Sequence, residues 1–79
     1  MKVKAISLID LKEGQKGTIV SILGGYGVVQ RLTDMGLTPG TEFEMLRKGL
    51  LCPVEISFRG SKLAIGHGVA AKILVKVKR

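Results

Sequence analysis

The chain has 79 residues, a formal net charge of +7 and a single cysteine. A chain of this length forms at most one domain, predicted here over residues 1–79, and it buries only roughly 60% of its unfolded surface. The lone cysteine excludes an internal disulfide, and no apolar run approaches the length of a membrane-spanning helix. The N-terminal run MKVKAISLIDL lacks the long apolar region and cleavage site of a signal peptide. We therefore expect a cytoplasmic protein.

The positive charge favours an anionic partner, which can be nucleic acid, a membrane surface or an acidic protein. If the two terminal segments pair as neighbouring strands, their lysines and arginine form one basic edge of the sheet. A second interpretation is that lysines on outer strands discourage edge-to-edge aggregation. The residues concerned are Lys2, Lys4, Lys72, Lys76, Lys78 and Arg79.

The first predicted element is a helix of one or two turns near Leu8 and Leu11. Ser7 precedes these leucines and Asp10 follows it by three positions, an arrangement typical of a capping box. We expect the Ser7 hydroxyl to accept a backbone N–H, with Asp10 placed favourably in the first turn.

Residues 18–23 are predicted to form a strand, since β-branched residues dominate the run. Both of its faces are apolar, so we expect cover on two sides. The run 24–27 that follows is predicted to be a loop. Its glycines match neither a phosphate-binding loop nor a dinucleotide fingerprint, because no Lys-Ser or Lys-Thr pair follows and Gln30 stands where the last glycine belongs. Tyr26, in the middle of this loop, is a candidate exposed contact residue.

The stretch RLTDMGLTPG, residues 31–40, predicts the end of a helix and the turn that starts a sheet. Val28, Leu32 and Met35 recur at helical spacing and would line one face. Gly36 stands where a left-handed residue ends a helix. Residues 39–40, Pro-Gly, suit the two central positions of a type II turn.

Apolar and polar residues alternate through most of the remaining chain, the mark of strands with one buried face. Gly60-Ser61 predicts a two-residue type II′ hairpin turn, and residues 69–71 predict a single helical turn. The strands are centred on residues 43–46, 54–59, 63–65 and 73–78. About five short strands with one or two short helices predict a mainly β fold, a small partly open barrel of the SH3-like type.

The sequence contains few residues in patterns that suit catalysis. Glu42 and Glu44 share one strand face, and a solvated outer face explains them better than an acid/base pair, which needs a cleft. No serine, cysteine or lysine has a recognisable base partner. We therefore do not expect an enzyme.

Cys52 and His67 are the soft metal-ligand types in the sequence. Structural zinc requires four ligands and catalytic zinc three, so two separated residues do not form a site by themselves. Glu55 or a second chain would have to complete one, giving a dimer-bridging or adventitious transition metal. The preferred interpretation is no cofactor, with Cys52 as a small half-buried residue and His67 as a polar turn residue.

Leu50 and Leu51 lie in a predicted connection between two strands, KGLLCP. Apolar residues in an exposed loop are typical of a partner or self-association surface. The alternative is that the loop folds back over the end of the barrel. Both interpretations remain open.

The sequence resembles the FeoA family, small accessory proteins of bacterial ferrous iron transport. The matching segments are SLIDLKEGQKGTIVSI, QRLTDMGLTPG, CPVEISFRGSKLAI and AAKILV, between Ser7 and Val75. The same module is similar to the C-terminal domain of metal-dependent repressors of the diphtheria-toxin-repressor type. The chain departs from the family at Gly66-His67, where many members are basic, and at Leu51-Cys52-Pro53, where Gly-Asp-Pro is usual.

The resemblance implies an SH3-like barrel that binds protein. It implies FeoB, the membrane ferrous iron transporter with a GTP-binding domain, as the partner that the chain binds and modulates. The candidate contact residues are Tyr26, Arg31, Asp34, Leu50 and Leu51. The alternative function is a basic nucleic-acid-binding barrel. It fits the charge but has only Tyr26 to stack a base, because Phe43 and Phe58 fall on predicted core faces.

Overall fold

The computed structural model describes residues 4–49 and 53–78 and shows a mainly β fold. Six strands form one antiparallel sheet in the order β1-β6-β2-β3-β4-β5, and the sheet curls without closing. This is the partly open SH3-like barrel predicted from the alternation, with six strands in the described residues where about five were expected. The strands are β1 (Ile6–Ser7), β2 (Lys16–Ile22), β3 (Glu42–Arg47), β4 (Val54–Phe58), β5 (Ser61–Ile65) and β6 (Ile73–Val77).

Two short α-helices and one 3₁₀ turn connect the strands. Helix α1 (Tyr26–Asp34) follows β2, and α2 (His67–Ala70) lies between β5 and β6. The 3₁₀ turn covers Leu8–Asp10. Helix α1 begins inside the run that was predicted to be a loop, so Tyr26 is its first residue.

The core is formed by the inward faces of the strands together with leucines from the turns. Strand β4 shows the pattern most clearly, because Val54, Ile56 and Phe58 are buried while the residues between them are half-buried. Buried apolar side chains are Leu8, Leu11, Ile19, Leu32, Leu37, Phe43, Met45, Val54, Ile56, Phe58, Ile65, Ala70, Ile73 and Val75.

Strand β2 corrects the expectation of a strand covered on both sides. Gly17 and Ile19 are buried, whereas Val20 is 38% exposed. The pairing of β2 with β6 shifts register between Ile19 and Ser21, so Val20 falls at a bulge. Of the isoleucine and valine side chains of β2, Ile19 and Ile22 pack on the core, whereas Val20 faces solvent.

The β4–β5 hairpin turns one residue earlier than predicted. Phe58 pairs with Ser61, so Arg59 and Gly60 form the two-residue turn. Their φ values are +52° and +78°. Two successive positive φ values define a type I′ turn, which matches the twist of the strands. The prediction of a type II′ turn at Gly60-Ser61 was therefore wrong.

The end of α1 is as predicted at Gly36, whose φ is +96°. Leu37 N–H donates to the Leu32 carbonyl at 3.0 Å and Gly36 N–H donates to the Thr33 carbonyl at 2.9 Å, the two bonds of a Schellman motif. Met35 is the C-cap residue and 40% exposed. It does not share the buried face of Leu32, and Leu37 is buried instead.

The Pro-Gly turn of residues 39–40 is also confirmed. Thr41 N–H donates to the Thr38 carbonyl at 3.0 Å, and Gly40 has a φ of +94°. A type II turn requires this positive φ at its third position. The chain therefore enters β3 with Thr41 buried and Phe43 facing the core.

The capping box predicted at Ser7 is absent. Ser7 precedes the 3₁₀ turn, but its side chain makes no capping bond there. The Ser7 hydroxyl instead donates to the Ala71 carbonyl at 3.0 Å. The 3₁₀ turn thus packs beside α2, with Leu8, Leu11 and Ala70 fully buried.

The two ends of the described chain are neighbours, since β1 pairs antiparallel with β6. Strand β6 is bordered by β2 on its other side, so Leu74 and Val75 are paired on both sides. Lys78 is not free, because its Nζ lies 3.0 Å from Glu42 Oε2. Lys2 and Arg79 lie outside the described residues. In residues 4–49 and 53–78, no helix has the length and apolar character needed to cross a membrane.

Candidate protein-binding site

Helix α1 is the element that presents the candidate contact residues. Gly25 is its N-cap, and Tyr26 stands at its first position with 82% of its surface exposed. Leu32 is its buried residue and anchors the helix to the core. Val28 is half-buried against the core, while Gln30, Arg31 and Asp34 are exposed and available to solvent or to a partner.

A groove runs between α1 and α2. Its volume is about 320 Å³, and its walls are Gly27, Val28, Arg31, Leu32 and Val69. Gly27 leaves the groove open, because no atom lies within 4 Å of the position that a Cβ would take there. The lining is apolar apart from Arg31, so the groove offers an apolar floor with one cation.

Arg31 has no acidic partner among residues 4–49 and 53–78, where the ion pair found is Lys78–Glu42. Asp34 is three residues further along α1, but its Oδ1 accepts a hydrogen bond of 2.8 Å from Gln30 Nε2. The Arg31 guanidinium is therefore left to bind an anion from outside. Arginine suits this role, since its planar donors match a carboxylate.

Tyr26 and Arg31, two of the five residues expected to contact a partner, lie on different faces of α1. Arg31 lies in the groove, whereas Tyr26 falls on roughly the opposite face of α1 at the usual helical spacing of about 100° per residue. Asp34 lies about 60° around the helix from Arg31, and its carboxylate accepts the hydrogen bond from Gln30. Leu50 and Leu51 lie outside the described residues. The sequence pattern did not reveal Gly27, Val28 and Val69 as groove residues, because Val69 comes to line the same hollow as α1 only in the folded chain.

A second hollow, of about 360 Å³, is lined by Ile9, Lys48, Gly49, Val54 and His67. Lys48 Nζ donates to the Ile9 carbonyl at 2.7 Å, so this lysine holds one wall in place. His67 is exposed at the first position of α2. Gly49 is the last described residue before 50–52, so the other metal-ligand candidate, Cys52, lies outside the described residues.

The acidic side chains form no catalytic or metal-binding cluster in the described part of the chain. Glu42 and Glu44 occupy the outer face of β3, and Glu42 pairs with Lys78. Glu55 lies on β4 opposite Ala64. Across residues 4–49 and 53–78, no group of three or more His, Cys, Asp or Glu side chains is placed to hold a metal ion.

Comparison with known proteins decides the family. The family model described as the FeoA domain matches residues 6–77. The chain belongs to the FeoA family. A protein of Methanocaldococcus jannaschii provisionally named Fe(2+) transport protein A is 42% identical over 65 residues, which is 82% of this chain and 78% of that protein. The chain is thus a small protein of the ferrous iron uptake class.

Solved structures agree with this assignment. A crystal structure of an iron uptake regulatory protein, FeoA, is 37% identical with a TM-score of 0.87, covering 95% of this chain and all of the other (100%). The solution structure of FeoA from Chlorobium tepidum is 29% identical with a TM-score of 0.86, covering 94% of this chain and 71% of that one. A manganese-dependent transcriptional repressor has a TM-score of 0.89 at 16% identity, covering 98% of this chain and 38% of the repressor. That last likeness shows the fold alone.

Proposed function

We propose that this FeoA-family chain is a cytoplasmic adaptor that binds the cytoplasmic part of a FeoB-type ferrous iron transporter and modulates it. The observation that carries the proposal is the Arg31 side chain, which lines the apolar groove between α1 and α2 and has no acidic partner among residues 4–49 and 53–78. A partner segment that places an apolar side chain in the groove and a carboxylate beside Arg31 would satisfy both features.

Charge supports an acidic partner segment. The chain carries a formal net charge of +7, which attracts acidic surfaces and speeds encounter with them. Lys72 adds a second exposed cation near the start of α1, since its Cδ lies 3.4 Å from the position of a Cβ on Gly24. Rim charges of this kind act mainly on the association rate and on the salt dependence of binding.

Burial argues against the nucleic-acid alternative. Phe43 and Phe58 lie in the core, at 4% and 8% exposure. Of the three aromatic residues in the chain, only Tyr26 is exposed. Single-strand binders stack successive bases on several aromatic side chains. One ring on a helix end does not supply such a platform.

The test is calorimetric titration of the chain with the cytoplasmic domain of the ferrous iron transporter from the same organism, free and loaded with GDP or a GTP analogue. We expect a contact that weakens as salt rises. Arg31→Glu should weaken it roughly tenfold or more, because one charge-assisted contact becomes repulsive. Lys12→Glu is the matched control: it makes the same charge change at an exposed residue after the 3₁₀ turn.

Two further variants locate the contact on α1. Gly27→Ala adds a methyl group to the open groove and should weaken binding without unfolding the chain. Tyr26→Ser probes the opposite face, and a larger loss there than at Arg31 would move the contact out of the groove. Absence of binding in every nucleotide state contradicts the adaptor proposal. Salt-sensitive binding to mixed oligonucleotides would instead support the nucleic-acid alternative.

A further inference from the structure

Strand β5 ends the sheet, and its outer edge has no strand paired to it among residues 4–49 and 53–78. The type I′ turn fixes which backbone groups face that edge. The residues flanking a two-residue turn, Phe58 and Ser61, exchange both backbone hydrogen bonds. Because bonded and non-bonded pairs alternate, Leu63 and Ile65 also bond to β4. The N–H and C=O groups of Lys62 and Ala64 therefore point outward.

We propose that β5 pairs antiparallel with β5 of a second copy of this chain, with Lys62 opposite Ala64 of the second copy. Each copy then contributes the two outward N–H groups and the two outward C=O groups of Lys62 and Ala64. The four groups of each copy are satisfied by four hydrogen bonds across the two-fold axis. Leu63 faces Leu63 of the second copy at that axis.

Charge and helix geometry select this register over its two neighbours. A register that centres on Lys62 sets two lysines directly opposite each other, which is destabilising. A register that centres on Ala64 pairs Lys62 with Gly66. The Gly66 carbonyl already accepts the Ala70 N–H at 2.9 Å, so that bond of α2 competes for it. Of these three registers, only the one that pairs Lys62 with Ala64 uses outward backbone groups that make no hydrogen bond within a helix and also avoids placing the two Lys62 side chains directly opposite each other.

The side chains on the inner face favour the same partner. Leu63 is half-buried in the single copy and packs against the core. In the proposed pair it meets its own counterpart in a non-hydrogen-bonded pair, where side chains lie closest. The remaining apolar surface of Leu63 is thereby removed from water.

Assembly stops at two copies, because the other end of the sheet is β1, which has only two residues. The pair uses both β5 edges, so the described part of the chain has no further long edge strand to recruit a third chain. Four backbone bonds and one leucine pair make an interface below about 1,200 Å², the size of weak complexes. We therefore expect dimers at high protein concentration and single chains at low concentration.

Amide hydrogen exchange of the full chain tests the register residue by residue. Leu63 N–H bonds to β4 and should be protected at every concentration. Lys62 and Ala64 N–H should exchange fast in dilute protein and become protected as the concentration rises to about 1 mM, near the affinity expected for a small interface. Concentration-independent exchange at Lys62 and Ala64, with a single sedimenting species throughout, overturns the proposal.

Substitutions at Ala64 provide a second, independent test by sedimentation. Ala64→Glu places a carboxylate opposite Lys62 twice and should tighten association roughly three- to tenfold, whereas Ala64→Lys should weaken it by a similar factor. Val20→Glu and Val20→Lys are the charge-matched controls on β2, which β3 and β4 separate from β5. Equal effects at both positions show a general charge effect and overturn the specific pairing.

A proline tests the backbone directly. Ala64→Pro removes the outward N–H while leaving the bonds to β4 in place, and edge strands tolerate proline at such a position. We expect association to be lost with an unchanged circular dichroism spectrum. Ala64→Val keeps the N–H and should retain association. If the proline variant fails to fold, the Glu and Lys variants still decide the question, and dimerisation by a folded proline variant contradicts the pairing.

Discussion

Gly17 lies directly opposite Phe43 in the β2–β3 ladder, and the Phe43 ring lies where a side chain on Gly17 would be. A Cβ on Gly17 would stand 3.1 Å from Phe43 Cζ and 2.9 Å from the Lys76 carbonyl oxygen. The ring and the backbone of β6 together exclude any side chain at this point of the barrel. Glycine within a strand marks this kind of close approach.

Gly17→Ala should therefore destabilise the fold by about 1–3 kcal/mol, the usual cost of overpacking. Urea denaturation measures it. Adding Phe43→Leu should recover only part of the loss, because the Lys76 oxygen remains. Gly68→Ala is the control, since no atom lies within 4 Å of a Cβ there. A Gly17→Ala variant as stable as the natural chain would contradict this packing.

Gly36→Ala should cost about 1–2 kcal/mol, the penalty of a left-handed conformation for a residue with a Cβ. Space is not the cause, because the nearest atom to a Cβ at Gly36 would be Phe58 Cε2, at 3.5 Å. Gly36→Asn should cost less, since asparagine tolerates this conformation. Thermal unfolding compares the variants, and Gly27→Ala is the control, because Gly27 has no positive φ and no atom lies within 4 Å of a Cβ there. Equal losses at Gly27 and Gly36 would exclude the backbone explanation.

Thr41→Val should destabilise the fold by about 1–3 kcal/mol, because it leaves backbone groups without partners. Thr41 is 5% exposed. Its hydroxyl donates to the Gly36 carbonyl at 3.2 Å and accepts the Thr38 N–H at 3.3 Å. These two hydrogen bonds of the Thr41 hydroxyl therefore connect the end of α1 to the start of β3. Thr38→Val, which removes a single hydroxyl contact of 3.2 Å with Thr41, should cost less. Denaturant midpoints give both values.

Ser7→Ala should lower stability by about 0.5–1.5 kcal/mol, because the hydroxyl bond to the Ala71 carbonyl is lost. The loss should be concentrated in α2, so amide exchange of Ala70 and Ala71 should rise more than that of β3. Ser7→Thr keeps the hydroxyl and serves as the control. A uniform change across the chain would mean that the bond does not fasten α2 to the 3₁₀ turn.

Much of the fold could be predicted from short-range patterns. The alternation in 54–58 and 73–77 predicted strands with one buried face, and both strands are present with that pattern. Gly36 was predicted to end a helix and Gly40 to occupy a type II turn, both in a conformation with positive φ, and both have positive φ. These signals succeed because a strand face or a tight turn depends on neighbours within a few positions.

The predictions that were wrong concern residues whose local sequence pattern is compatible with more than one structure. Ser7 has the spacing of a helix cap, yet its hydroxyl bonds to a carbonyl 64 positions away. The turn at the end of β4 was placed one residue late, because glycine suits either turn type and the pairing of Phe58 with Ser61 decides between them. Val20 is apolar in a strand pattern, but a register shift leaves it exposed.

The sequence by itself determined the strand-rich class and the turns at Gly36 and at residues 39–40, since these follow from local periodicity and backbone sterics. Its motifs carried the resemblance to the FeoA family. Only the tertiary structure decided that Arg31 of α1 and Val69 of α2 line one groove. Only the sheet order decided that Lys62 and Ala64 point to a free edge. Both features join residues distant in sequence, and such contacts depend on how the whole sheet curls around its core.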